Sequence, residues 1–233
     1  MLLLKELTAA RGVSGNENEI RALLRRLCEE RGATCVVDRM GNLIAHKDGG
    51  DASAPHILLD AHMDEVGLLV TGIRDDGLLR YKPVGGIDSR VLVSKGVLCG
   101  EKRVPGVIGA KPIHLQTPAD RDRVLSHSDL FIDIGAKTKA EAEKLVPAGT
   151  YVVFDSPLEG MGEGHVVSRA LDDRVGCLNL LRALSHGYRG KLTCVFAAQE
   201  EIGLRGATVA GHHLDFDLAI ALEGTASNDL GDI

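Results

Sequence analysis

The apolar residues of this chain change their spacing from one stretch to the next, and the spacing predicts the elements. A stripe at helical spacing is formed near the N-terminus by Ile20, Leu23, Leu24, Leu27 and Cys28. This stripe predicts an amphipathic helix that ends near Gly32. Ser14 and Glu17 precede the stripe at the spacing of a capping box, so we expect the Ser14 hydroxyl to cap the helix.

Shorter apolar runs predict strands. Such runs occupy residues 34–37, 42–46, 56–60, 192–199 and 218–222. Runs of this length that are bounded by turn residues are typical of buried strands. Helical patterns alternate with these runs at both ends of the chain, which predicts an α/β fold.

The middle of the chain has a different pattern. From residue 66 to residue 162, glycine and valine recur between frequent turn signals, which predicts a compact, antiparallel, barrel-like β-domain. One helix interrupts it after a capping box formed by Thr138 and Glu141. We therefore predict an α/β domain made of residues 1–65 and 163–233, with a β-rich domain of residues 66–162 inserted into it.

Composition and charge narrow the classes of function. The chain is 44% apolar and has a formal net charge of -6. This charge argues against a nucleic-acid partner, and no apolar run approaches the length of a membrane span. The five cysteines show no CxxC spacing, which favours reduced thiols and a cytoplasmic protein.

One histidine and several carboxylates follow the ends of the predicted strands. These residues are His62, Asp64, Glu200, Glu201 and Glu223. In an open α/β sheet, the carboxyl ends of the strands carry the chemistry. Asp172 and Asp173 stand at the start of a later helical pattern, where helix capping is the simpler interpretation of the pair.

Together these side chains suit divalent metal ions. Imidazole and carboxylate groups bind zinc, cobalt and manganese, and carboxylates can bridge a pair of such ions with a water between them. The adjacent Glu200 and Glu201 repel each other unless a cation neutralises them or one of them is protonated. A solvated acidic turn is the alternative interpretation of this pair, and a structural role is the alternative for His62 taken alone.

Three motifs carry a family resemblance. They are Asp60-Ala-His-Met-Asp-Glu65, Ala170-Leu-Asp-Asp-Arg174 and Gln199-Glu-Glu-Ile-Gly203, with further matches at residues 85–91, 106–112 and 133–138. The chain resembles the M42 family of dinuclear metallo-aminopeptidases, which includes glutamyl aminopeptidases and the tetrahedral TET peptidases. The resemblance implies a zinc-peptidase-like α/β sandwich with an inserted barrel-like domain, two divalent ions, peptide substrates and a homo-oligomer, which is a dodecamer in relatives.

The resemblance also implies a role for each site residue. The implied ligands are His62 and Glu223 for one ion, Glu201 for the second ion, and Asp172 as the bridge between them. Glu200 would be the general base that takes a proton from the bridging water. Asp64 would orient His62, and Asp173 would lie next to the metal ligands without binding an ion itself.

M42 chains continue beyond the point that corresponds to Ile233 and supply a further histidine ligand. We therefore expect the catalytic sheet to be incomplete at the C-terminus and the second ion to bind weakly. We expect His212 and His213 to be surface residues, and we place His114 and His127 in the inserted domain.

Three functions stay open on this reasoning. The first is a metal-dependent aminopeptidase that acts on short peptides. The second is a catalytically inactive fragment that binds metal or partners. The third is a glycosidase, which the 3% aromatic content and the absence of tryptophan disfavour because few rings are available to stack on a sugar.

Overall fold

The computed structural model describes residues 1–118 and 122–225. It divides the chain into two compact units. Unit 1 contains residues 1–65 and the chain from residue 157 onward, and unit 2 contains residues 66–156. Residues 157–162, which the sequence pattern assigned to the inserted domain, therefore group with unit 1. The expected incompleteness of the sheet concerns residues after 225, which lie outside the described part of the chain.

Helices and strands alternate in unit 1, and unit 2 consists mainly of strands. The described helices are α1 (Leu2–Ala9), α2 (Asn18–Glu29), α3 (Lys139–Leu145), α4 (Leu171–His186) and α5 (Arg205–His213). The described strands are β1 (Thr34–Val37), β2 (Leu43–Asp48), β3 (Ile57–His62), β4 (Gly67–Ile73), β5 (Leu79–Val84), β6 (Gly96–Cys99), β7 (Val104–Ala110), β8 (Leu130–Asp133), β9 (Tyr151–Phe154), β10 (Glu159–Met161), β11 (His165–Val167), β12 (Lys191–Ala197) and β13 (Leu218–Ala221). None of these helices is both long and apolar enough to cross a membrane.

Unit 1 is built on a five-stranded sheet with the order β1-β2-β12-β3-β13. β3 lies between β12 and β13 and is parallel to both, whereas β2 pairs with β1 and β12 in antiparallel fashion. Because the three parallel strands run in one direction, their carboxyl ends meet at a single edge of the sheet. The predicted α/β fold is confirmed, and this edge receives the residues that follow each strand.

The central strand β12 is buried on both faces of the sheet. Cys194 and Phe196 face the larger core, which includes buried residues of α1, α2 and α4. Val195 and Ala197 face a smaller core that includes Ala210 of α5. A strand covered on both sides has no need of polar alternation, and this explains why its sequence from Leu192 to Ala197 is apolar except at Thr193.

The predicted amphipathic helix is confirmed as α2, but the predicted cap is wrong. α2 begins after Glu17, and no side chain forms a capping hydrogen bond there. The Ser14 hydroxyl instead donates to Asp64 Oδ2 at 2.6 Å. In a capping box the hydroxyl accepts a hydrogen bond. Here the Ser14 hydroxyl donates instead, because the buried Asp64 carboxylate requires hydrogen-bond donors.

Unit 2 is a closed barrel with the strand order β4-β5-β8-β7-β6-β9, as the sequence pattern predicted. Closure leaves none of these strands with an unpaired edge. The barrel encloses its own core, whose fully buried members include Leu68, Leu79 and Ile132. The predicted cap at Thr138 is also confirmed, because its hydroxyl accepts from the Glu141 amide at 3.3 Å.

Replacing Phe196 by alanine should destabilise unit 1 strongly. Phe196 is fully buried, and truncating a buried phenylalanine costs about 3–5 kcal/mol of unfolding free energy. Val36 lies on edge strand β1 and is 47% exposed, so Val36→Ala should cost only about 0.5 kcal/mol. Urea unfolding of both variants, followed by far-UV circular dichroism, checks the difference. Equal losses would contradict the assignment of β12 to the centre of the sheet.

Candidate metal centre

The candidate site lies at the sheet edge where β3, β12 and β13 end. His62 is the last residue of β3, and the next amide, from Met63, donates to Ala197 O at the end of β12 at 2.8 Å. This bond places the residues that follow β3 beside those that follow β12. His62 and Asp64 are 3% and 0% exposed, so both side chains are buried at this edge of the sheet.

The Asp64 carboxylate connects three segments of the chain. It accepts from the Ser14 hydroxyl at 2.6 Å and from the amides of Glu200 and Glu201 at 3.0 and 3.3 Å. Its Oδ1 also lies 3.5 Å from His62 Nδ1. Burial alone would raise the pKa of Asp64, but these hydrogen bonds outweigh burial and hold the pKa below its ordinary value. Asp64 is therefore a stable anion behind His62.

Glu200 and Glu201 lie on a turn whose backbone is held in a defined conformation. The preceding residue, Gln199, has a left-handed φ of 57°, a conformation that non-glycine residues adopt rarely. The Glu200 carbonyl accepts from the amides of Gly203 and Leu204 at 2.8 and 2.9 Å. Burial raises the pKa of Glu201 to about 7. The alternative of a freely solvated acidic turn therefore does not describe this segment.

His62 Nε2 faces a group of carboxylates. It lies 3.0 Å from Asp172 Oδ1, 3.5 Å from Glu223 Oε1 and 3.9 Å from Glu200 Oε2. Burial lowers the pKa of His62, but the surrounding carboxylates, Asp64 first among them, outweigh burial and raise this pKa to about 10. In the metal-free protein the imidazole therefore carries the positive charge that the carboxylates need.

Asp172 and Asp173 have different roles, which the capping interpretation did not separate. The peptide bond between them is cis, and both residues have non-helical backbone angles. Asp173 Oδ1 accepts from the Gly176 amide at 2.9 Å, so Asp173 does cap the regular part of α4. Burial raises the pKa of Asp173 to about 7. Asp172 instead directs Oδ1 toward His62.

The predicted ligand set is brought together in two overlapping groups. One group contains His62, Asp172 and Glu223, and the other contains His62, Glu200 and Glu201, with potential ligand atoms within 4.8 Å of one another in each group. Asp64 faces the opposite ring nitrogen of His62, an arrangement that leaves Nε2 directed at a metal. The donor set of one imidazole and several carboxylates fits a divalent ion.

Sequence reasoning missed some residues and placed others correctly. It gave no role to Asp60, whose pKa is raised to about 6, chiefly by burial. Asp60 precedes His62 by two residues in β3, and this spacing on one strand face could have indicated it. His212 and His213 are exposed as expected.

The comparisons with known proteins identify the family. The family model described as M42 glutamyl aminopeptidase matches residues 41–232. The chain belongs to the M42 peptidase family. A further model, AMPT, matches residues 1–24. A lysyl aminopeptidase of Pyrococcus furiosus is 33% identical over 243 residues, which covers 99% of this chain and 69% of that protein.

Solved structures of other M42-like peptidases share the fold. The TET aminopeptidase of the marine sediment archaeon Thaumarchaeota archaeon SCGC AB-539-E09 has a TM-score of 0.92 at 34% identity, covering 99% of this chain and 68% of that one. The Pyrococcus horikoshii TET1 peptidase, described as assembling into a tetrahedron or a large octahedral shell, has a TM-score of 0.86 at 39% identity, covering 100% and 71%. This M42 chain spans 66% and 65% of the length of two further curated relatives that it matches.

The metal-free protein should lose stability as the pH rises. The raised pKa of Glu201, about 7 against an ordinary 4.5, means that its ionisation costs more in the folded state and destabilises the fold as pH rises through this interval. The raised pKa of His62 means that its carboxylate contacts stabilise the fold fully below pH 6.5 and are lost as pH approaches 10. Urea unfolding in the presence of a chelator measures both effects.

His62→Gln is the control for this pH dependence. The variant should lose the part of the slope that lies between pH 6.5 and pH 10 and keep the part at lower pH. An unchanged slope in that upper interval would show that the His62 charge does not stabilise the metal-free site.

Proposed function

We propose that this chain carries the metal centre of a metal-dependent aminopeptidase that removes N-terminal residues from short peptides. The observation that carries the proposal is the convergence of Asp172, Glu200 and Glu223 on His62 Nε2 at 3.0–3.9 Å. The P. furiosus relative is named a lysyl aminopeptidase, and its family is the one to which this chain belongs.

The residues divide into ligands and supporting groups. We propose His62 and Glu223 as ligands of one divalent ion, Glu201 as a ligand of a second, and Asp172 as the bridge. Zinc, cobalt and manganese all suit this set. Two bound divalent ions would polarise the substrate carbonyl and lower the pKa of a water at the site.

Glu200 is the proposed general base. It lies on the same turn as Glu201, and its Oε2 is 3.9 Å from His62 Nε2, so its carboxylate faces the ligands. A carboxylate in this position can accept the proton of the attacking water and deliver it to the leaving amine. Asp64 holds the Glu200 amide at 3.0 Å and thereby positions the base together with His62.

The charge of the site favours a free peptide N-terminus. Asp172, Glu200 and Glu223 direct carboxylate oxygens toward His62 Nε2, at 3.0–3.9 Å. A protonated substrate α-amine placed here would be attracted by these groups. This attraction supports exopeptidase action at the N-terminus over cleavage within a chain.

We further propose that the protein works as a homo-oligomer in the cytoplasm. The TET1 peptidase of P. horikoshii is described as forming a tetrahedron or an octahedral shell, and the free cysteines of this chain suit a reducing compartment. Analytical ultracentrifugation of the purified protein tests the assembly, and a monomer at micromolar concentration would contradict it.

The alternative functions are less well supported. A glycosidase needs two carboxylates on opposite sides of a sugar, about 5 Å or more apart. Here the carboxylates of Asp172, Glu200 and Glu223 all face one imidazole nitrogen, His62 Nε2, at 3.0–3.9 Å, an arrangement that suits a metal ion better than a sugar held between two carboxyl groups. An inactive metal-binding fragment would bind an ion without turnover, so an activity measurement separates it from the enzyme.

Glu200→Gln should abolish peptidase activity without abolishing metal binding. We expect hydrolysis of aminoacyl p-nitroanilides by the protein supplied with cobalt or zinc, and a chelator should stop it. Loss of the general base should lower the rate by about 10²–10⁴-fold. Glu143→Gln, at an exposed position on α3 in unit 2, is the matched control and should keep full activity.

Two results would contradict the proposal. Full activity in Glu200→Gln would exclude the proposed base. Absence of turnover in the folded, metal-supplied wild type would favour the inactive fragment. Retained cobalt binding in Glu200→Gln, measured by isothermal titration, separates a base from a ligand, because loss of a ligand would weaken binding.

A further inference from the structure

His62 and Asp172 come from segments that are 110 positions apart, yet their side-chain atoms lie 3.0 Å from each other. A ligand pair of this kind needs something to hold the two segments in register. Directly beside the pair lies a buried group of opposite charges formed by Glu65, Arg169 and Arg174. We call it the arginine–glutamate cluster. None of its members has a part in the proposed chemistry.

Glu65 is the centre of the cluster. Its side chain is 3% exposed and forms an ion pair with Arg169, whose side chain is 8% exposed. Arg169 Nη1 contacts both carboxylate oxygens of Glu65. Arg174, which is fully buried, places Nη2 3.5 Å from Glu65 Oε1. The same oxygen accepts from the Gly12 amide at 3.0 Å.

The two arginines also bind main-chain carbonyl groups of the N-terminal segment and of the residue that follows His62. Arg174 Nε donates to Met63 O at 3.0 Å, and Met63 is the residue between His62 and Asp64. Arg174 Nη1 donates to Ala10 O at 3.0 Å. Arg169 Nη2 donates to Ala9 O at 2.8 Å. The cluster therefore fastens both ends of the 169–174 segment to the chain that follows His62.

The space around Arg174 is closely fitted. A Cβ atom on Gly12 would lie 2.7 Å from Arg174 Nη2 and 2.6 Å from Ile20 Cγ2, so only glycine leaves room for the guanidinium there. A fully buried arginine is costly unless its charge is paired. Apolar packing therefore does not explain why Arg174 is buried between the segments that carry His62 and Asp172.

We propose that Glu65, Arg169 and Arg174 are positioning residues that set the separation between His62 and Asp172 and thereby the affinity of the metal site. This inference rests on the proposed metal function. Two arginines bracket Asp172 in sequence, and one glutamate that follows His62 by three residues contacts both arginines. The cluster thus fixes the segment that carries His62 relative to the segment that carries Asp172, without contributing a metal ligand itself.

Residues that hold metal ligands in place commonly change metal affinity by about 10–100-fold when they are replaced. We expect Arg169→Met to weaken binding of cobalt by about tenfold or more, measured by competition with a chromophoric chelator. The visible absorption of the bound cobalt should also change, because the ligand geometry is no longer constrained. Arg169→Lys keeps the charge and one donor to Glu65, so it should recover part of both properties.

Arg11→Gln is the matched control. Arg11 lies on the same N-terminal segment and pairs with Glu19 at 2.7 Å, with 16% of its side chain exposed. Its loss removes an ion pair, as Arg169→Met does, but the Arg11–Glu19 pair is less buried and the cluster stays intact. We expect wild-type cobalt affinity and wild-type absorption in this variant. Melting temperatures of the metal-free proteins measure how far each variant is destabilised.

Glu65→Gln is the second test and applies if Arg169→Met does not fold. It conserves the shape of the side chain and its bond from Gly12 but removes the charge that both arginines share, so it should also weaken cobalt binding. Wild-type affinity and absorption in a folded Arg169→Met or Glu65→Gln protein would overturn the inference, as would an equal loss in Arg11→Gln. Failure of the wild type itself to bind cobalt would instead overturn the proposed function.

Discussion

The interaction on which the rest of this site depends is the buried carboxylate of Asp64. Its two oxygens bind the Ser14 hydroxyl and the amides of Glu200 and Glu201, and Oδ1 lies 3.5 Å from His62 Nδ1. One anion thus links the N-terminal segment and the ends of β3 and β12. A buried charge is tolerated only when its hydrogen bonds are satisfied, and the partners that satisfy Asp64 belong to the segments that carry the candidate ligand and base.

The site concentrates carboxyl groups, and in the metal-free protein bound protons reduce their negative charge. Burial raises the pKa of Asp60, Asp173 and Glu201 to about 6, 7 and 7, although the nearby charge of His62 lowers each of them. His62 carries the compensating charge and has its own pKa raised to about 10. A divalent ion would replace that proton and relieve the repulsion between the carboxylates. The closely placed carboxyl groups that destabilise the metal-free protein would therefore favour metal binding. Functional sites commonly reduce the stability of a protein in this way.

Much of this arrangement could be predicted from the sequence. The run that became β12 is apolar except at Thr193 because both of its faces are covered. The polar residues after β3, β12 and β13 were predictable as a group because parallel strands end at one edge. Ser14 was predicted wrongly because its spacing to Glu17 fits a capping box, whereas a carboxylate 50 positions away takes its hydroxyl. The residue pattern alone did not separate Asp172 from Asp173, because it could not show that their backbone angles depart from the helix that follows; only the family resemblance gave the two residues different roles.

The sequence by itself determined the fold class, the barrel-like inserted domain and the residue types at the strand ends, and its motifs carried the resemblance to the M42 family. Periodicity, residue types and motifs are properties of short stretches of chain, so they can be read locally. Only the tertiary structure decided which atoms meet. The contacts of His62 with Asp172 and of Glu65 with two arginines join segments more than a hundred positions apart. Such pairs depend on how the whole sheet and its helices pack, and no local pattern encodes that packing.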